Sequence, residues 1–156
     1  MVQAFTILRK KYLWSAELYL AGAKESDIRD ALRERQIRVE EVDWQKIHLL
    51  GDLGSEKLTD YYNLCDVFCM PSYFEAYGLV FAEALTYGLP CIGRDKFAMS
   101  EFIEDGCTGR LISGEDAEEL ALDLWEVLQD PKYREEVERR REWYLREYSW
   151  DKVAQR

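Results

Sequence analysis

The sequence predicts an α/β domain built on a parallel, doubly wound sheet, and three observations carry that expectation. Short β-rich runs ending in Gly or Pro alternate with amphipathic stretches of about 8 to 15 residues, the succession of strand and crossover helix that builds parallel sheets. The 156 residues are the size of one domain, able to bury about two-thirds of the surface that the unfolded chain exposes. A composition of 47% hydrophobic and 33% charged residues fits a packed core under a solvated surface, with no repeat or low-complexity tract to interrupt it.

Residues 2–12 (VQAFTILRKKY) space their apolar positions as a helix does, and residues 17–21 form a short β-rich run ended by Gly22. Residues 26–35 read as a helix with Ser26 and Asp27 as candidate caps. Residues 46–50 are a second strand closed by Gly51, and Ser55 begins a helix that reaches Leu64. Residues 66–70 are a third strand stopped by Pro71. Gly78 precedes a helix over 79–87, and Gly88-Leu89-Pro90 turns the chain into a strand at 91–93. A short helix at 100–104, a turn at Asp105-Gly106 and a strand at 109–113 follow. The last third is helical, over 116–129 and 131–147, with a final piece starting at Ser149.

A formal charge of −10 argues against nucleic acid and anionic lipid as partners. The one dense basic run, Arg139-Arg140-Arg141, sits among Glu135, Glu136, Glu138 and Glu142. No apolar run approaches the roughly 20 residues that cross a bilayer, and the N-terminus lacks the pattern of a secretory signal. A cytoplasmic domain without membrane contact of its own is expected, with membrane association of a longer enzyme left open. Cys65, Cys69, Cys91 and Cys107 stand in apolar or turn contexts and read as reduced thiols. The spacing of Cys65 and Cys69 and the lone His48 suit small buried residues better than a zinc site, so no metal is expected.

Ligands of such sheets bind beyond the carboxyl ends of the strands, where loops lead into helices. The segment from Met70 to Glu83 lies at such a place. Leu79, Val80, Phe81, Ala82, Ala84 and Leu85 leave almost no polar face, so the helix is expected to be buried with Glu83 inside it. A buried carboxylate needs hydrogen-bonding partners. Glu83 stands one turn beyond Leu79 on the same face, and helical side chains lean toward the N-terminus, so its oxygens are directed to the helix mouth. That mouth suits an anion, with backbone N–H groups at Gly78, Leu79 and Val80 and the positive end of the dipole. Glu75 stands eight residues before Glu83. Two carboxylates flanking a phosphate site accept hydrogen bonds from hydroxyls, so the matching ligand carries phosphate between hydroxylated groups, as a nucleoside diphosphate sugar does. The alternative is structural: Glu83 satisfied by backbone amides or a neighbouring Tyr, and Glu75 solvated near a helix start.

The run Glu75-Ala-Tyr-Gly-Leu-Val-Phe-Ala-Glu83 resembles the Glu-x7-Glu signature of the retaining GT-B glycosyltransferases of group 1, family 4. The flanking landmarks are similar too: the 47–51 strand with its Gly, the 61–66 segment, Met70-Pro-Ser72, the 88–93 turn and strand, Glu101 through Gly109, and Tyr148-Ser-Trp150. The resemblance implies a Rossmann-like C-terminal domain in which Glu83 accepts hydrogen bonds from ribose hydroxyls. It implies that Glu75 positions the donor sugar at the catalytic centre, and that Gly78, Leu79 and Val80 supply amides to the distal phosphate, beside Tyr77. Leu53 and its neighbours in the 51–54 turn are expected, by the same resemblance, to pack on the base or hydrogen-bond it through the backbone. The resemblance further implies transfer of the sugar with retention, with no cofactor and no required metal, to a carbohydrate or lipid-linked acceptor held by an N-terminal domain.

The family pattern opens with a strand, then Gly-Arg and a Lys that neutralise the pyrophosphate, whereas Val2-Gln-Ala-Phe5 resembles the helix after that Lys. Residues 1–156 are therefore expected to be a single but partial donor-binding domain, without the acceptor domain. In the strand order 3-2-1-4-5-6 the first, central strand is then the one missing. An open seam is expected between the 17–21 and 66–70 strands, closed by rearrangement, another chain or a further segment. A non-catalytic GT-B-like binding or interaction module is the alternative function. A receiver-like signalling domain fits poorly, since Asp66 stands at the start of its strand instead of its end and no cluster of acids marks the strand ends.

Overall fold

The computed structural model describes residues 1–74 and 77–148. The chain divides into two compact units, residues 1–60 with 116–125, and residues 61–115 with the chain from 126 onward. The described strands are all parallel, in two sheets.

In the first unit, helix α1 (Val2–Lys11) buries Val2, Ala4, Phe5 and Leu8 and ends on Arg9, Lys10 and Lys11, where cations complement the negative end of the helix dipole. Strand β1 (Leu18–Ala21) leads to α2 (Glu25–Glu34) and then, through two 3₁₀ turns at Val39–Glu41 and Trp44–Lys46, to β2 (Ile47–Gly51). Leu18 stands opposite Ile47 and Leu20 opposite Leu49. Val2, Phe5, Leu32, Val39, Val42 and Ile47 form the core of this unit. The two 3₁₀ turns escaped the sequence reading because one turn is too short to show a hydrophobic period. They exist because Val39 and Val42 reach the core while the Trp44 indole donates to the Val39 carbonyl at 3.1 Å.

Ser26 and Asp27 do not cap α2. Lys24 is the flanking residue, and the Ser26 hydroxyl donates instead to the Asp27 carboxylate at 3.0 Å. The helix starts one residue earlier than expected, with Glu25 and Asp27 in its first turn, where acids favour the dipole.

Helix α3 (Ser55–Leu64) contributes residues to both units. The second unit follows with β3 (Phe68–Cys69), α4 (Leu79–Thr86), β4 (Cys91–Arg94), α5 (Met99–Phe102) and β5 (Gly109–Ile112), then α6 (Ala117–Gln129), shared with the first unit, and α7 (Lys132–Glu147). The sheet order is β3-β4-β5, with Phe68 opposite Cys91 and Cys91 opposite Gly109. A side chain at 109 would run into the Cys91 backbone, which is why this register requires glycine. The whole of β4 is buried, as a central parallel strand should be.

The expected parallel α/β class is what forms, with its described strands in two small sheets. The strands pair as β1–β2 and as β3–β4–β5, and among the described residues no ladder joins the two groups. Strand β3 is also shorter than the expected 66–70. Asp66 is drawn to Arg134 at 3.0 Å, and beyond Met70, whose amide still bonds the Ile92 carbonyl, Pro71 has no N–H to continue the ladder. Helix α7 buries Tyr133, Val137 and Tyr144, and its Arg141 donates to the Thr86 carbonyl at 2.8 Å, satisfying one of the open carbonyls that end α4. The helical piece expected from Ser149, with Trp150, lies outside the described residues.

Candidate functional site

The carboxyl ends of β3, β4 and β5 open into three loops, and the first of them leads into α4. Gly78 is the N-cap of α4, in the left-handed conformation at φ 66°, ψ 17°. A Cβ there would lie 2.7 Å from the Phe102 ring and 3.4 Å from the Ala98 Cβ, so only glycine combines this backbone with this packing. The first amides to find an acceptor inside the helix are those of Phe81 and Ala82, both on the Gly78 carbonyl at 2.9 and 3.4 Å. Leu79 and Val80 stand ahead of them, in the first turn, where helix geometry provides no intrahelical acceptor. Tyr77, just before the glycine, is exposed.

Glu83 is not buried. Phe81, Ala82, Ala84 and Leu85 carry the buried face of α4, while Leu79 and Glu83, one turn apart, share the exposed one. The apolar residues around Glu83 in sequence concealed this, because an eight-residue helix with a single polar position has no pattern to reveal which way that position faces. The carboxylate does have the neighbour that the structural alternative asked for: the Tyr62 hydroxyl donates to Glu83 Oε2 at 3.2 Å. Tyr62 is buried, stacked on Tyr87 at 5.2 Å and edge-on to Phe68. Burial, and then the charge of Glu83, push its phenol well above the ordinary 10, so it stays a protonated donor.

Two features of this edge escaped the sequence reading. Arg94 ends β4 and is buried, yet its guanidinium donates to two carbonyls from different loops, Pro71 at 3.1 Å and Gly114 at 2.6 Å, and lies 4.5 Å from the Tyr73 ring centroid. It thus ties the exits of β3 and β5 to its own strand. A charged residue closing the apolar run Cys91-Ile92-Gly93 was the available signal. The other feature is a pair of exposed rings, Phe74 on the loop after β3 and Phe97 on the loop after β4, meeting at 5.2 Å.

Leu53 is half-buried on the turn before α3. A shallow depression of about 370 Å³, lined by Asp52, Gly54, Ser55, Glu56 and Lys57, surrounds the start of that helix. Glu75 lies outside the described residues. Among those described, no group of three or more His, Cys, Asp or Glu is placed to hold a metal ion. The four cysteines are free thiols, with burial pushing Cys91 well above its ordinary value. No helix of the described residues is long and apolar enough to cross a membrane.

The family described as glycosyl transferases, group 1, matches residues 1–142. The chain belongs to the group 1 glycosyltransferases. Over 98 residues this glycosyltransferase chain is 32% identical to a D-inositol 3-phosphate glycosyltransferase of Kribbella flavida, an overlap of 63% of this chain and 23% of that one. The sucrose-phosphate synthase of Thermosynechococcus elongatus superposes with a TM-score of 0.76 at 22% identity, covering 99% of this chain and 39% of the other. The pneumococcal O-GlcNAc transferase GtfA, solved with UDP and GlcNAc, superposes with a TM-score of 0.62 at 25% identity, covering 93% of this chain and 28% of the other. The fold is that of GT-B glycosyltransferase domains, and the chain spans about a quarter of the length of the curated relatives it matches.

Proposed function

We propose that this chain binds a nucleoside diphosphate sugar and serves as the donor-binding part of a retaining glycosyltransferase. The observation that carries the reading is the opening of α4, where a left-handed Gly78 starts a helix whose exposed face presents Glu83 one turn in, anchored by Tyr62. The first-turn amides of Leu79 and Val80, with that of Gly78, would receive the distal phosphate, aided by the positive end of the helix dipole. Among the described residues Tyr62 engages Oε2 of Glu83, and the exposed carboxylate keeps acceptor capacity for the ribose hydroxyls.

In this reading Tyr77 borders the phosphate and Glu75 positions the sugar. Transfer proceeds with retention at the anomeric carbon. The phosphates are met by amides and a helix dipole, so no metal or cofactor is assigned a role. The acceptor, a carbohydrate or a lipid-linked one, would be held by a further domain of a longer, cytoplasmic enzyme. Pneumococcal GtfA, solved with UDP and GlcNAc, is a relative in fold whose ligands are of the proposed kind.

The test is a titration of the chain with UDP, GDP and ADP, read by amide chemical shifts, with Glu83→Ala as the control. Shifts clustered at residues 78–83 for one nucleotide and lost in the variant are the expected result. An affinity in the millimolar range corresponds to about −4 kcal/mol and is within reach of that measurement. Silence toward all three nucleotides, or binding indifferent to Glu83, would sink the reading and favour a non-catalytic module on the same fold.

A further inference from the structure

We infer that the Phe74–Phe97 pair is an aromatic contact surface for the sugar ring of the donor, an assignment that rests on the nucleotide-sugar reading. Phe97 has φ 54°, a left-handed backbone that a side chain makes unfavourable and that turns normally leave to Gly, Asn or Asp. Burial does not compensate it, because the residue is 54% exposed. Its partner Phe74 is 69% exposed, and the rings meet edge to face at 5.2 Å with 66° between their planes. Two apolar rings held in solvent, that of Phe97 on a strained backbone, cost stability. Such strain persists where the surrounding structure enforces it, and it concentrates at ligand sites.

The enforcement is visible on both loops. The Ser100 hydroxyl donates to the Phe97 carbonyl at 3.1 Å, locking the turn. Arg94 holds the neighbours of Phe74, donating to the Pro71 carbonyl and lying over the Tyr73 ring. The pair also flanks the opening of α4. The place where Gly78 lacks a side chain is filled by Phe102 and by Ala98, which follows Phe97 directly. An aromatic surface offers nothing to a phosphate. The electron-rich face of an aromatic ring does suit the electropositive C–H face of a pyranose, which is the less polar face of the donor. In a mostly polar ligand, such a wall orients the sugar while hydrogen bonds elsewhere fix the nucleotide.

Two variants of the chain separate this role from a structural one. Whichever of UDP, GDP or ADP binds is compared with its glucose conjugate, in wild type, Phe97→Gly and Phe97→Ala, alongside thermal melts. Phe97→Gly is expected to melt no lower than wild type, since glycine relieves the left-handed backbone, and above Phe97→Ala by about 2 to 4 °C. Both variants should bind the bare nucleotide as wild type does and its glucose conjugate about tenfold more weakly. A lower melting point for Phe97→Gly than for wild type would make the ring a structural element and overturn the inference. So would a conjugate that binds no differently in the variants, a parallel loss of bare nucleotide, or a wild-type chain that gains nothing from the sugar. Failure of the underlying reading looks different: no nucleotide binds, or Glu83→Ala binds as wild type does, and both proposals then fall together.

Discussion

The Tyr62 hydroxyl donates to Glu83 Oε2 at 3.2 Å, joining a buried phenol on α3 to an exposed carboxylate on α4. Glu83 is therefore oriented from below by the protein while its upper side meets solvent. The same bond fixes which way the carboxylate turns in the proposed donor site.

Removing that anchor tests it directly. Tyr62→Phe keeps the ring stacked on Tyr87 and deletes only the donor, so the fold should lose about 1 kcal/mol, measured by urea unfolding. The carboxylate then turns freely, and nucleotide affinity should fall several-fold in the same titration. Unchanged affinity beside the lost stability would confine Tyr62 to a structural role.

Gly78→Ala is expected to be costly. The new Cβ meets the Phe102 ring at 2.7 Å on a backbone with φ 66°, so both strain and crowding act. A loss of about 1 to 3 kcal/mol is expected in urea. An equally stable variant would show that α4 can begin without the left-handed turn.

Arg94→Lys should fail to replace arginine. An ammonium cannot span the Pro71 and Gly114 carbonyls with the planar fork that the guanidinium uses. Hydrogen exchange should quicken at Ser72 and Asp95, whose amides bond Met70 and Ile112, while amides inside α7 keep their protection. Uniform exchange across the unit, or no change, would remove the clamp role.

The acid limb of the stability curve has a defined contributor. Hydrogen bonds from Lys46, then His48 and Tyr19, lower the Glu17 carboxyl from 4.5 to about 2. A depressed folded pKa stabilises above the unfolded value and loses that contribution as pH falls from about 4.5 through about 2. Glu17→Gln should therefore differ from wild type at pH 6 and converge with it near pH 2, and added salt should shrink the difference because these groups are exposed. A gap that stays constant across that range would place the effect of Gln elsewhere.

Several elements were legible in the chain because local chemistry dictates them. The apolar spacing of residues 2–12 builds α1, the β-rich runs before Gly22 and Gly51 become β1 and β2, and Gly78 opens α4 where the pattern changes to helical. The Glu75-to-Glu83 run also pointed to the family, since its residue types and spacing lie within one short segment and need no distant partner to be recognised. Alternation of strand and helix was enough for the parallel α/β class, because that connectivity follows from which elements are consecutive.

Other facts depend on residues far apart in sequence, and only the tertiary structure decided them. Glu83 faces solvent because the opposite face of α4 is the one that packs, and Tyr62 meets it from 21 residues away. Arg94 reaches Pro71 and Gly114 across 23 and 20 residues, a clamp that no local window contains. The division of the strands into two sheets belongs to the same class, since which edges pair is settled by the whole chain. Periodicity reports what each segment tends to become, whereas burial and polar partnership arise only when distant segments compete for the same core.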